Sequence, residues 1–207
     1  QGVKNLMPVT INGDGSITGL SVGGLPNGTV DADTLASNCV TSAKLATKTF
    51  TSYAIIADIK ASNADGGDFD SGAWRTRDLN TEIADPDGIV SLSSNQFTLG
   101  AGSYLIEFSA PACRLASHQT RLYNATTSSE VQIGTCHYAP PSSGTADQTS
   151  MGASRVTITG STAFEIQHRG AGNNNTGEDT FGFGVGTSGA HSWGSTMYCL
   201  VKIYKEA

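Results

Sequence analysis

From residue 50 to residue 207 the chain is a succession of short apolar runs with a period of two, broken at regular intervals by glycine, asparagine and serine. Alternate residues of an extended strand point to opposite faces, so such runs bury one side each by joining a sheet. The clearest is Ser103-Tyr104-Leu105-Ile106-Glu107-Phe108-Ser109-Ala110, in which Tyr104, Ile106 and Phe108 share a face. Residues 54–59, 89–92, 96–99, 120–123, 130–135, 154–158 and 163–168 read as further strands. In the last of these Phe164, Ile166 and His168 point one way, and Glu165 and Gln167, followed by Arg169, the other. About eight to ten short strands with glycine-rich turns predict an all-β, two-sheet sandwich or jelly roll in a single domain.

Composition agrees. Charged residues make up 14% and hydrophobic residues 38%, with 25 glycines. Long amphipathic helices need far more Ala, Leu, Glu and Lys than the β-branched runs of this chain supply. The net charge is −6 and Lys and Arg form no run. A groove that tracks phosphates is therefore not expected, nor a nucleic-acid partner. No stretch approaches the roughly 18 apolar residues of a membrane span, so no membrane insertion is expected, and no signal peptide opens the chain. The first residue is Gln1 rather than Met, which suggests a start inside a longer polypeptide or a processed one.

The first 49 residues differ from the rest. Val9-Thr10-Ile11-Asn12-Gly13-Asp14-Gly15-Ser16-Ile17 predicts two short strands about a tight turn. Residues 31–46 hold the only helical patches, carrying Leu35 and Leu45, with Asp31 or Asp33 and Ser42 as caps. These leucines are too few and too separated for a core of their own, so residues 1–49 read as an irregular attachment segment and residues 50–207 as the head. The closing run, Thr196 to Tyr204, is apolar on both faces: Met197, Cys199, Val201 and Ile203 on one, Tyr198 and Leu200 on the other. A strand covered on both faces needs a second layer. In a small sandwich a neighbouring subunit supplies it, which makes Tyr198 and Leu200 the candidate interface residues.

Chemistry-bearing patterns are sparse. His118, His137, His168 and His191 lie on different elements without metal-ligand spacing, and no GxSxG, HExxH or phosphate loop occurs. His168, closing an alternating strand, reads as a packing residue. Asp65, Asp68 and Asp70 lie in a glycine-rich loop that would suit a hard cation, yet they lack the register of a calcium loop, and no metal or cofactor is expected. Asp85-Pro86-Asp87-Gly88 reads as a turn. Cys39, Cys113, Cys136 and Cys199 form no CxxC pair, which suits free thiols in a protein assembled in a reducing cytoplasm; a Cys113–Cys136 bridge would require the two to end adjacent strands. Trp74, between Ala73 and Arg75, reads as a core or interface residue in preference to a ligand platform, with Arg75 and Arg77 exposed on the opposite face beside Asp78 or Glu82. Residues 138–150 and 170–194 are long connections, the kind that binds something when it is ordered. Tyr138, Asn173, Asn174, Asn175, His191 and Trp193 offer amides and an aromatic face suited to a sugar. Alternatively, Phe181, Phe183 and Val185 form one more strand within the second connection.

Phe97-Thr98-Leu99 through Gly102-Ser103-Tyr104-Leu105-Ile106-Glu107-Phe108 resembles a strand pair of the complement first-component and tumour-necrosis-factor superfamily. Thr120-Arg121-Leu122-Tyr123-Asn124, and Val156-Thr157-Ile158 through Phe164-Glu165-Ile166, are similar to later strands of that family. The run Asp65-Gly66-Gly67 through Ser71-Gly72-Ala73-Trp74-Arg75-Thr76-Arg77-Asp78-Leu79-Asn80-Thr81, and residues 104–121, resemble heads of phage tail and fibre proteins. Gly24-Leu25-Pro26-Asn27-Gly28-Thr29-Val30 through Leu35-Ala36-Ser37 is similar to linker modules of phage fibres. The likeness spans residues 50–207, and more loosely 20–49; a collagen-like stalk is missing. It implies a non-enzymatic, homotrimeric jelly-roll head on a virion, attached to other virion proteins through residues 1–49 and contacting a host-surface glycan or protein. A capsid- or neck-attached decoration fibre without a host ligand is the first alternative. A polysaccharide-degrading tail enzyme, whose paired carboxylates need no local motif, is the second.

Overall fold

The computed structural model describes residues 10–11, 13, 17–18, 50–140, 147–172, 182–186 and 194–207. Contacts divide the chain into Gln1–Ala46 and Thr47–Ala207. In the first unit β1 (Thr10–Ile11) and β2 (Ile17–Thr18) pair antiparallel, Thr10 opposite Thr18 and Ile11 opposite Ile17, as the turn-rich sequence between them predicts. The helical patches expected around Leu35 and Leu45 lie outside the described residues.

The second unit is built from β3 (Phe50–Lys60), β4 (Arg75–Thr76), β5 (Thr81–Ala84), β6 (Val90–Ser93), β7 (Gln96–Leu99), β8 (Gly102–Cys113), β9 (Ala116–Asn124), β10 (Ser129–Ala139), β11 (Asp147–Ile158), β12 (Thr162–Gly170) and β13 (Thr196–Glu206). Sheet I has the order β10-β9-β12-β7-β6, with β4 continuing along β12 beyond β7; sheet II has the order β11-β8-β13-β3-β5. All pairings are antiparallel. After β7 the chain passes to sheet II for β8, back for β9 and β10, then alternates through β11, β12 and β13. This interleaving of two antiparallel sheets is the jelly roll. The all-β sandwich expected from the sequence is the fold that forms.

The core lies between the sheets and draws on the alternations read above. Tyr104, Ile106 and Phe108 from β8, Phe164 and Ile166 from β12, Leu122, Phe97 and Leu99, and Cys199, Val201 and Ile203 from β13 are all buried in it. The β6–β7 hairpin closes on Ser94 and Asn95, both at positive φ (52° and 63°), the two-residue turn whose twist matches that of its strands. Asp85 closes the next connection, its carboxylate accepting from Ile89 N (2.9 Å) and Val90 N (2.8 Å). Along one side the sheets are stitched by Ser150. Its hydroxyl donates to Thr135 O (2.6 Å) and accepts from Thr120 N (2.9 Å).

Gly152 lies opposite Phe108 on the neighbouring strand, and a Cβ there would stand 2.3 Å from Phe108 Cζ. The ring belongs to the close-packed core and has nowhere to retreat, so Gly152→Val is expected to destabilise the sandwich by about 1–3 kcal/mol. Urea unfolding would read this as a lowered midpoint at unchanged slope.

Two expectations are corrected. Arg75 and Arg77 do not share an exposed face: only Arg75–Thr76 pairs with β12, and Arg77 turns inward and is 0% exposed. The exposed partner is Arg75, while Trp74 is half-buried at the surface. Phe183 and Val185 do not belong to a strand either. The 182–186 segment is held instead by Gly66 N→Gly184 O (2.8 Å), Phe183 N→Gly67 O (3.0 Å) and Cys113 N→Gly182 O (3.0 Å).

Candidate functional site

The ends of β3, β8, β10 and β12 and the starts of β9, β11 and β13 lie together, as the pairings Cys113–Asp147, Ala116–Ala139, His118–Gly170 and Lys60–Thr196 require. This loop end has its own small core of Phe69, Ala112, Leu115 and Phe183. Arg77 runs through it. Its backbone N–H donates to Ile166 O of sheet I (2.8 Å), and its guanidinium to Pro111 O (3.1 Å), Phe183 O (2.9 Å) and Tyr198 O (3.2 Å). The guanidinium carbon lies 4.1 Å from the centre of the Phe183 ring. Burial pulls the Arg77 pKa below the usual guanidinium value, against the Cys199 thiol and the Asp58 and Asp78 carboxylates. Burial likewise pushes the Cys199 thiol up to about 12, in spite of Arg77.

Sheet I brings three histidines to this end from strands far apart in sequence. His118 Nδ1 and His168 Nε2 are 2.9 Å apart, one ring donating and the other accepting, and the His137 ring centre is 6.2 Å from that of His118. Burial lowers His118 to about 4 and His168 well below its ordinary value, and Arg77 adds to both effects. Both rings are therefore neutral at pH 7. Beside them, Lys60 Nζ bridges Asp58 (3.3 Å) and Asp78 (2.7 Å). Burial raises Asp58 although Lys60 opposes it. The lysine fills the place between two carboxylates that a cation would take. Among the described residues no group of three or more His, Cys, Asp or Glu side chains is arranged to hold a metal ion. Asp65, in the loop weighed as a cation site, accepts a hydrogen bond from Gly186 N (2.7 Å).

The outer face of sheet I carries an aromatic stack. The Arg121 guanidinium lies 4.2 Å from the Trp74 ring centre and 4.6 Å from that of Tyr123, and it donates to Gln167 Oε1 (2.8 Å) and Glu130 (3.1 Å). Glu165 beside it is buried and accepts from Thr76, Gln96 and Gln167. These contacts are why the outward residues of β12 are nearly as covered as the inward ones. A pocket of about 470 Å³ adjoins the stack, between the start of β9, the end of β12 and the connection that carries Trp74.

The outer face of sheet II is different in character. Register aligns three rows across it: Met151, Ser109, Leu200 and Ala57; then Ala153, Glu107, Lys202 and Ile55; then Arg155, Leu105, Tyr204 and Tyr53. Met151 is 53% and Tyr53 44% exposed, and a groove of about 330 Å³ runs past Met151, Ala153 and Leu200. Lys202 and Glu107 face each other within it at 3.6 Å.

No family model matches the chain, and no curated protein is similar to it in sequence. Solved structures do resemble it. The globular domain of zebrafish complement 1qA protein is 11% identical, over 75% of this chain and 97% of that one, with a TM-score of 0.44. Eiger TNF from S. frugiperda is 8% identical over 77% and 94%, with a TM-score of 0.47. The PRD1 vertex protein P5 is 12% identical over 77% and 100%, also at 0.47. Assignment to the jelly-roll class rests on the strand order and register above, not on these likenesses.

Of the residues expected to contact a ligand, Tyr138 is described; it lies near the end of β10 and is 59% exposed. Asn173, Asn174, Asn175, His191 and Trp193 lie outside the described residues. The residues that flank them, Gly172 and Gly194, belong to the same end of the sandwich as Tyr138. Of the two interface candidates, Leu200 is half-buried on the outer face of sheet II, whereas Tyr198 is 3% exposed within its own chain. A bulge between Met197 and Cys199 turns Tyr198 inward, where its hydroxyl donates to Ala64 O (2.6 Å), and leaves Met197 exposed. Cys113 and Cys199 are buried free thiols and Cys136 an exposed one, so Cys113 and Cys136, on strands of different sheets, are not bridged. No helix among the described residues is long and apolar enough to cross a membrane. Sequence reasoning missed the Arg77–His118–His168 cluster, for which the only local signal is an arginine at an inward position.

Proposed function

We propose that this chain is a virion structural protein of a bacteriophage, the head of a homotrimeric tail-fibre-type appendage that contacts the host surface. Three sandwiches pack through the outer faces of their sheets II, residues 1–49 join the head to other virion proteins, and the loop ends are presented outward together. The observation that carries this reading is the outer face of sheet II, where Leu200, Tyr53, Tyr204, Leu105 and Met151 form an apolar surface with the Lys202–Glu107 pair in its middle row and the Arg155–Glu206 pair (2.6 Å) at its edge. Surfaces of that kind rimmed by charge mark assembly sites. The threefold number follows the resemblance of the β7–β8 strand pair to the complement and tumour-necrosis-factor superfamily. Three weak sites on one rigid head raise avidity without chemistry.

In native mass spectrometry the protein is expected at three times its 21.3 kDa chain mass. Leu200→Glu, which places a charge in the middle of the buried rows, is expected to give single chains. Ile133→Glu, at a more exposed apolar position on sheet I, is expected to leave the mass unchanged. A wild-type protein found only as single chains overturns the assembly.

A further inference from the structure

The pocket on the outer face of sheet I brings a guanidinium, an amide and an indole together. Cys136, Gln119 and Arg169 lie side by side across β10, β9 and β12, with Trp74, Ser71 and Ser117 at the margin. The chain has six arginines and a net charge of −6, yet all the arginines except Arg155 lie on or beside β4, β9 and β12. Four of these five are engaged: Arg77 by three carbonyls, Arg121 by Gln167 and Glu130, Arg75 by Asp70 O, and Arg114 by a further contact. Arg169 has no hydrogen-bond or ion-pair partner among the described residues and is exposed. Among the described residues none that lines the pocket is acidic.

We propose that this pocket binds an acidic saccharide, a pyranose ring that carries a carboxylate; the inference rests on the host-surface reading above and gives it a site and a ligand class. The free guanidinium of Arg169 offers the paired N–H groups that a carboxylate accepts in a fork. Trp74 offers the flat apolar surface on which the C–H face of a sugar ring packs. Gln119 donates to Gly134 O (2.8 Å), which fixes its amide and leaves its carbonyl oxygen for a sugar hydroxyl, and Ser117 adds a hydroxyl to the lining. The indole is ordered in advance by Arg121, itself backed by Tyr123, so a ligand does not bear the entropy of arranging it. One free cation beside an aromatic ring suits a singly charged ring acid better than a phosphate, which recruits several donors. A volume of about 470 Å³ holds one or two pyranose rings.

The test is the shift of the Trp74 indole N–H resonance on titration of the full chain with galacturonic acid, its methyl ester, galactose and inorganic sulfate, the resonance being assigned by its loss in Trp74→Leu. The acid is expected to bind at least about tenfold more tightly than the ester or galactose, a difference of one charge-assisted pair. Arg169→Gln is expected to abolish that preference while galactose binding stays as it was, and Arg155→Gln, on the other sheet, to leave the preference for the acid intact. Equal affinity for acid and ester, an Arg169→Gln variant that keeps the preference, sulfate binding as tight as the acid, or no shift with any sugar each overturns the proposal. Native mass separates the two readings. A three-chain particle indifferent to the acid removes the pocket and keeps the assembly, and a single-chain protein that prefers the acid does the reverse.

Discussion

Replacing Arg77 with leucine is expected to lower the stability of the sandwich by about 3–5 kcal/mol, the range for breaking a buried charged network. In a domain of this size that is a fall of roughly 10 °C or more in melting temperature. The argument lies in what the guanidinium leaves behind. Pro111 O, Phe183 O and Tyr198 O belong to three separate segments, and each accepts from Arg77 in a region closed to water. A buried acceptor stripped of its donor costs about 1–3 kcal/mol, and an aliphatic side chain offers no substitute. Arg77→Lys keeps the charge but presents one ammonium where a planar fork reached three oxygens, so it is expected to recover less than half of the loss. Thermal unfolding followed by near-UV circular dichroism reads both variants. A leucine variant within about 1 kcal/mol of wild type would mean that the loop end closes without its arginine.

The second large effect is a loss of stability in mild acid. His118 is held at about 4, against 6.5 for an exposed histidine, and His168 is held well below its ordinary value, both chiefly by burial. Between those values the unfolded chain binds protons that the folded chain refuses. The contribution is therefore complete above pH 6.5 and declines as pH falls towards 4, with His118 alone accounting for about 3 kcal/mol over that span. Geometry reinforces the trend. The 2.9 Å contact between His118 Nδ1 and His168 Nε2 needs one bare nitrogen, so a second proton breaks it, and the charge is created beside Arg77. Chemical denaturation at pH 7.5 and pH 5 is expected to separate wild type from a His118→Gln, His168→Gln double variant, whose amides can bond each other but do not titrate. Wild type should lose more on acidification than the variant does. The same loss in both would place the acid sensitivity in the carboxylates.

What was legible in the sequence follows the reach of each signal. Tyr104, Ile106 and Phe108 could be assigned to the core because alternation in a strand is local, and all three are buried there. The turn at Asp85 was legible because its residue types fit the backbone they need. Arg77 was misread because the same rule, applied to Ala73-Trp74-Arg75-Thr76-Arg77, assumes that a strand continues. Pairing with β12 ends at Thr76. Tyr198 was placed on the wrong face for a related reason: one bulge shifts every alternation on its near side by a residue. The histidine cluster was hidden because His118 and His168 are separated by 50 positions and meet only when β12 is laid beside β9.

Taken by itself, the sequence determined the all-β class, most of the strands and the inward faces of the regular ones, because period, turn chemistry and β-branching act over a few residues. The tertiary structure decided which polar groups enter the interior and which apolar ones stay outside. A buried Arg77 is tolerable only where three carbonyls from distant segments converge on it, and a half-buried, outward Leu200 becomes informative only once β8, β11 and β13 align Met151, Ser109 and Leu200 in one row. Both depend on long-range register, which no window of sequence contains.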